Sequence, residues 1–153
     1  LIMVASLMWI GASPGSTGGG VKVTTVALAL LNIVALARGK ESVEIYKRRI
    51  AAESINKAFA IILLSFLTIA ICFVLLNFSD PDQPMKALLF ETISAYTTCG
   101  LSLGITSSLS ATSKLIIIFT MFVGRVGTLT LLVAFIKNTK NKSYIYPTEK
   151  ILF

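Results

Sequence analysis

Two long apolar runs, residues 58–78 and 115–136, enclose a polar stretch that cannot itself cross a bilayer. Each run has about the 20 residues that a helix needs to span a hydrocarbon core of ~30 Å. Between them, residues 90–104 read FETISAYTTCGLSLG, which is too short to cross and too polar to lie in lipid. Backbone that is not helical is tolerated at membrane depth only where protein buries it or water bathes it. This stretch therefore constrains the fold more than any other feature.

The pattern within this stretch predicts a short helix over Met85–Thr97 and then a segment of small and hydroxyl residues around Gly100. A cation-channel pore loop has the same order. Backbone carbonyls and Ser or Thr hydroxyls replace the water that a cation gives up, without adding a full charge. Gly100 permits backbone angles that a side chain would forbid. An ordinary extracellular loop containing a small helix fits the spacing equally well.

The charges predict an orientation. The net charge is +7, and hydrophobic residues make up 55% of the chain, above the ~45–50% of soluble domains. Basic residues gather in two segments: Arg38, Lys40, Lys47, Arg48, Arg49 and Lys57, then Lys137, Lys140, Lys142 and Lys150. The positive-inside rule places both segments in the cytoplasm and the stretch between the apolar runs outside. Flanking spans argue against a nucleic-acid-binding role for the first segment.

A third notable segment, residues 11–22, reads GASPGSTGGGVK and interrupts an apolar region. Five glycines and a proline within ten residues cannot continue a helix. Broken membrane helices often mark an ion path, although a flexible hairpin between helices is the simpler alternative. A phosphate-binding P-loop is a poor fit, because Val21 separates Gly20 from Lys22 and Val23, not Ser or Thr, directly follows the lysine.

Three further predictions concern charged positions. Residues 38–57 form either a short amphipathic helix on the membrane surface or a solvated basic loop. Glu91 either braces the loop through backbone amides near Gly100 or faces water at a mouth. Arg125, inside the second apolar run, faces a pore or pairs with a carboxylate, and Gly124 and Gly127 allow close helix approach.

No enzymatic site is predicted. The chain has no His, and neither Cys72 nor Cys99 has metal-ligand spacing or an expected disulfide partner. No nucleophile, base and orienting group occur together. The chain opens with Leu1 in an apolar run without a basic region before it, so we expect a fragment rather than a signal peptide.

Three segments together resemble one family. They are residues 11–22, residues 90–102 (FETISAYTTCGLS) and residues 121–130 (MFVGRVGTLT). In this order they resemble the Trk/Ktr/HKT potassium transporter superfamily, and most nearly its KtrB group, the membrane subunits of bacterial Ktr uptake systems. The resemblance implies an all-α membrane protein of four helix–pore loop–helix repeats around one pore.

The resemblance also implies a domain plan. Residues 1–37 would be the broken inner helix of the third repeat, with its intramembrane loop at 11–22. Residues 38–57 would be a cytoplasmic linker, residues 58–137 the fourth repeat, and residues 138–153 a cytoplasmic C-terminal tail.

Functional residues follow from the same resemblance. The selectivity filter would comprise Thr98, Cys99, Gly100, Leu101 and Ser102. The gate below it would comprise Gly11, Ser13, Gly15, Ser16, Thr17, Gly18, Gly19, Gly20, Lys22 and Arg125. Cys99 and Thr128 stand where relatives often have Val and Pro. Such substitutions would alter selectivity or gating rather than abolish transport.

The implied function is uptake of potassium, with sodium as a second or coupling ion, across the bacterial plasma membrane. The chain would bind no other cofactor and would be multi-pass, with its C-terminus in the cytoplasm. Its partners would be lipid, the missing N-terminal repeats, a second copy in a homodimer, and a cytoplasmic RCK-type nucleotide-binding subunit, with no nucleic acid. One alternative is a subunit of a tetrameric two-span potassium channel, although this chain lacks the second glycine that the filter of such a channel contains. The other alternative is a non-transporting membrane anchor.

Overall fold

The longest helix that the structure describes packs against three of the other helices. A computed structural model describes residues 1–11, 13, 18–39, 43–45, 48–127 and 130. The elements in chain order are α1 (Ile2–Trp9), α2 (Val23–Ala37), β1 (Glu44–Ile45), β2 (Arg48–Arg49), α3 (Ala52–Ser79), α4 (Met85–Thr97) and α5 (Ala111–Val126). The predicted helical class is confirmed, while the assignment of helices to repeats stays a prediction.

Helix α3 contains the first apolar run, residues 58–78, and is long enough to span a membrane. Its 28 residues correspond to about 42 Å, longer than the ~30 Å hydrocarbon core. The hydroxyls of Ser65 and Thr68 donate to the carbonyls of Ile62 and Leu64, so neither polar group is left unpaired in an apolar helix. Among the described residues, α3 is the one helix long and apolar enough to span a membrane.

Helix α4 has the bounds that the sequence predicts. Pro84 precedes it, and the backbone leaves the helix at Thr98, with φ 53° and ψ 33°. The N–H of Cys99 donates to the Ser94 carbonyl and that of Thr98 to the Ala95 carbonyl, which is a Schellman motif. Glycine normally occupies this left-handed position, and a β-branched residue there is an outlier.

Hydrogen bonds connect the start of α5 to the end of α3. The N–H of Ser110 donates to Asp80 Oδ2 at 3.0 Å, and the hydroxyls of Ser79 and Ser110 are 3.2 Å apart. Ser110 Oγ also caps the helix by accepting from the N–H of Ser113. Leu76, Leu88 and Leu109 form the buried cluster between α3, α4 and the start of α5.

The end of α5 differs from the continuous helix predicted over residues 115–136. The helix ends at Val126, because Gly127 takes a φ of 91°, which an α-helix excludes. Glycine has no Cβ and adopts this angle readily. The remainder of the predicted run, apart from Thr130, lies outside the described residues.

The amphipathic helix considered for the linker is wrong over residues 43–45 and 48–50, whereas residues 52–57 of the predicted linker are the first turns of α3. Strands β1 and β2 pair antiparallel, with Glu44 opposite Arg49 and Ile45 opposite Arg48. The N–H of Ile50 donates to the carbonyl of Val43, whose side chain is buried. Val, Ile and Tyr in this segment favour strands, and this preference outweighs the helical spacing of the charges.

Candidate ion pathway

The predicted filter segment, residues 98–102, begins with left-handed backbone at Thr98 and stays non-helical. Gly100 has a φ of 80°, and a Cβ added there would meet nothing within 4 Å. Glycine is therefore required by the backbone angle and not by lack of space. Within this chain, Cys99, Gly100, Leu101 and Ser102 are exposed, whereas most of α4 before them is buried.

The glycine-rich segment contacts the start of this filter segment. The N–H of Gly19 donates to Thr98 Oγ1 at 2.9 Å, across 79 positions of sequence. Gly19 is buried, and a Cβ on Gly20 would lie 3.2 Å from Thr97 Cγ2. Two of the predicted gate residues therefore lie directly against the junction of α4 and the predicted filter.

Helix α5 contacts the same junction at Gly124. A Cβ on Gly124 would lie 2.7 Å from the Tyr96 carbonyl carbon and would collide with its oxygen. A Cβ on Gly19 would lie 3.2 Å from the Gly124 carbonyl oxygen. Gly19, Tyr96, Thr98 and Gly124, which we call the glycine junction, thus bring three segments of chain into backbone contact.

The two ends of the glycine-rich segment are joined to each other. The N–H of Gly11 donates to the Val21 carbonyl at 2.8 Å, and Ile10 pairs with Val21 in an isolated parallel bridge. Val21 is fully buried. On the N-terminal side, Trp9 stacks on Phe66 at 4.7 Å between ring centroids, which holds α1 against α3.

The remaining predicted gate residues are not all brought together. Ser13, Gly18 and Lys22 are exposed, and Gly15, Ser16 and Thr17 lie outside the described residues. Arg125 is exposed in the last turn of α5, one residue after the glycine junction. No ion pair joins Arg125 to an acidic side chain in the part of the chain that the structure describes.

Glu91 is the buried charged side chain of α4, and only 5% of it is exposed. Its Oε1 accepts hydrogen bonds from the hydroxyls of Ser102 and Thr106, the latter at 3.1 Å. Of the two predicted roles, bracing the loop is the one observed, but through hydroxyls rather than backbone amides. Sequence reasoning missed Thr106, and the Ser- and Thr-rich composition of residues 105–113 was the available signal.

The electrostatics at the α3–α5 connection involve Asp80. The Ser113 hydroxyl and then the Ser110 N–H lower the pKa of Asp80 below its ordinary value. The Ser113 hydroxyl oxygen is buried and has no hydrogen bond of ordinary geometry among the described residues. The Ser110 N–H is the directly observed partner of the carboxylate.

Neither a metal cluster nor a disulfide occurs in the described ranges. They contain no group of three or more His, Cys, Asp or Glu side chains that could hold a metal. Cys72 and Cys99 are both free, and Cys72 accepts a hydrogen bond from Thr120 Oγ1 at 3.0 Å between α3 and α5.

A long apolar helix followed by a buried short helix and a non-helical, hydroxyl-rich segment is the arrangement expected in a helical membrane transport protein. Comparison with known families identifies which family of transport proteins this is. The family model named TrkH, described as a cation transport protein, matches residues 1–145. The chain belongs to this family, as its motifs predict, and the family comprises transport proteins rather than enzymes.

Individual relatives agree. The chain is 38% identical over 152 residues to Ktr system potassium uptake protein D of Bacillus subtilis, covering 99% of this chain and 34% of the relative. It is 40% identical over 131 residues to Ktr system potassium uptake protein B of Vibrio alginolyticus, covering 86% and 29%. It is 33% identical over 160 residues to potassium/sodium uptake protein NtpJ of Enterococcus hirae, covering 99% and 35%. The chain thus spans about a third of the length of these relatives.

Proposed function

We propose that this chain is the C-terminal part of a bacterial potassium uptake protein and supplies one quarter of its ion filter. The observation that carries the proposal is the glycine junction, where the glycine-rich segment contacts the first residue of a non-helical, hydroxyl-rich segment. Names of the relatives, which include potassium uptake proteins and a potassium/sodium uptake protein, support potassium as the main ion and sodium as a second.

In this proposal, carbonyl and hydroxyl oxygens of residues 98–102 replace the hydration shell of potassium. Three equivalent segments from the N-terminal repeats complete the ring. Residues 11–22 obstruct the path below the filter, and the Arg125 side chain adds a positive barrier beside them.

The wider arrangement follows from the same proposal. Residues 1–37 supply the broken inner helix of the third repeat and residues 58–137 the fourth repeat. Residues 38–57 and 138–153 lie in the cytoplasm. The complete protein dimerises in the plasma membrane and binds a cytoplasmic nucleotide-binding subunit of the RCK type.

The test uses the full-length transporter in cells that lack other potassium uptake. Gly100→Ser places a side chain at a φ of 80° and is expected to weaken potassium selectivity. Gly39→Ser is the matched control, since its φ is 69° and it too has open space around it, but it follows α2. Unchanged selectivity in Gly100→Ser would refute the filter assignment.

A second test addresses the gate. Deletion within residues 15–20 should raise ion flux, because it shortens the segment that obstructs the path. Flux is measured in vesicles that contain the purified transporter. Flux equal to that of the unmodified protein would remove the gating role of residues 11–22.

A further inference from the structure

A buried carboxylate fastens the outer end of the proposed filter to the helix before it. Glu91 Oε1 accepts from the hydroxyls of Ser102 and Thr106, which lie 11 and 15 positions further along the chain. The two hydroxyl oxygens are themselves 2.8 Å apart, and the N–H of Gly104 donates to Ser102 Oγ at 2.9 Å. One side chain of α4 therefore holds both ends of the segment from residue 102 to residue 106.

This arrangement also fixes where the hydroxyl protons point. A hydroxyl has one proton to donate and two lone pairs. With the Ser102 and Thr106 protons both directed to Glu91, neither hydroxyl donates to the other. The Gly104 N–H takes one lone pair of Ser102, and the remaining lone pairs are left for other partners. Both side chains are exposed on their other side, whereas Glu91 is 5% exposed. Oxygens that face water with free lone pairs are suitable ligands for a partly dehydrated cation.

A carboxylate is an expensive group to bury, and its cost is offset only when its hydrogen bonds are made. A hydrophobic residue at position 91 would pack in α4 without this cost. A carboxylate at position 91 is explained if ion binding depends on the position of residues 102–106.

We propose that Glu91 is a positioning residue for ion selectivity, acting through Ser102 and Thr106 on the outer end of the filter; this rests on the proposed function. A filter that is held at fixed width discriminates against the smaller sodium ion, whose ligands would have to move inward. Loss of the Glu91 contacts lets these oxygens move inward and raises the relative uptake of sodium.

The experiment compares potassium and sodium uptake by the full-length transporter and its variants, with the KM for each ion measured separately. Glu91→Gln replaces one acceptor oxygen with a donor amide, and Thr106→Val removes one donor at nearly constant shape. Both are expected to lower the potassium-to-sodium uptake ratio by about tenfold, as the loss of a buried hydrogen bond to a charged group allows.

Matched controls separate positioning from simple stability. Thr106→Ser keeps the hydroxyl and should keep the ratio, while Glu53→Gln removes a carboxylate from an exposed pair with Lys57 and should leave uptake unchanged. If Glu91→Gln does not fold, Thr106→Val against Thr106→Ser decides the question. Parallel loss of both uptakes with an unchanged ratio would make Glu91 a structural brace and overturn the inference.

The failure of this inference is distinguishable from failure of the proposed function. If Gly100→Ser loses selectivity while Glu91→Gln and Thr106→Val keep it, the filter stands and the role of Glu91 is refuted. If Gly100→Ser also keeps its selectivity, the filter assignment itself fails.

Discussion

Gly124→Ala is the substitution whose effect the structure defines most sharply. The added Cβ would lie 2.7 Å from the carbonyl carbon of Tyr96 and 3.1 Å from its Cα. Carbon atoms pack best at about 3.5–4.0 Å, so the carbonyl carbon alone would require α5 to move by roughly 0.8 Å from α4. The closer collision with the Tyr96 carbonyl oxygen requires a larger movement. The obstacle is backbone, and no side-chain rotation relieves it.

The magnitude follows from two opposing effects. Alanine is a better helix former than glycine by about 1 kcal/mol, which favours the variant. Overpacking costs about 1–3 kcal/mol, and a rigid obstacle places this site near the upper end. The net destabilisation is therefore about 2 kcal/mol. A displaced α5 also carries Arg125 away and loosens the contact of Gly19 with Gly124.

The assay is the thermal unfolding of the detergent-solubilised full-length transporter, followed by size-exclusion chromatography, together with potassium uptake by cells. Gly39→Ala is the matched control, because it introduces the same methyl group into open space. Its φ of 69° should cost about 1 kcal/mol and leave uptake unchanged. A Gly124→Ala protein as stable and as active as the unmodified one would refute the close approach of α4 and α5.

Three further predictions concern the contacts around this region. Thr98→Val leaves the buried N–H of Gly19 without its acceptor and should lower stability by about 1–3 kcal/mol in thermal unfolding, whereas Thr98→Ser should not. Gly19→Ala, whose Cβ would lie 2.9 Å from Thr98 Oγ1, should displace the loop and raise flux in vesicles; normal flux would contradict the proposed gate. The lowered pKa of Asp80 means that its carboxylate stabilises the fold above the ordinary pKa of Asp and that this contribution is lost as the pH falls through the lowered value. Asp80→Asn should therefore weaken the acid sensitivity of thermal stability, while Asp82→Asn in the same loop should not; equal acid sensitivity in both variants would exclude Asp80.

Sequence patterns predict α4 and most of α3, but neither the end of α5 at Gly127 nor the contacts between the helices. The bounds of α4 follow from local signals, namely Pro84 before it and the change of composition after Thr97. Residues 58–78 likewise predict most of α3, because an uncharged apolar run of this length has few other solutions. The family could also be predicted from the sequence, because the motifs that indicate it lie within short segments.

Contacts between distant segments could not be predicted in the same way. The Gly19 to Thr98 hydrogen bond joins residues 79 positions apart, and no local pattern specifies it. Glu91 was recognised as needing a partner, but either amides or hydroxyls would have satisfied it. The linker was misread, because the charge spacing fits a helix while Val43 and Ile45 favour the strand pairing that is observed.

The hydrogen bond from Gly11 to Val21 has a consequence for how this protein can vary and be engineered. Since the entry and exit of the glycine-rich segment are tied to one another, α1 and α2 are spaced by that tie and not by the residues enclosed within it. Insertions or a grafted reporter peptide within residues 12–17, which leave Gly19 and the glycine junction unchanged, should leave the neighbouring helices in register. Residues 12–17 are therefore the part of the segment in which the proposed gate can be altered while the helices on either side keep their spacing.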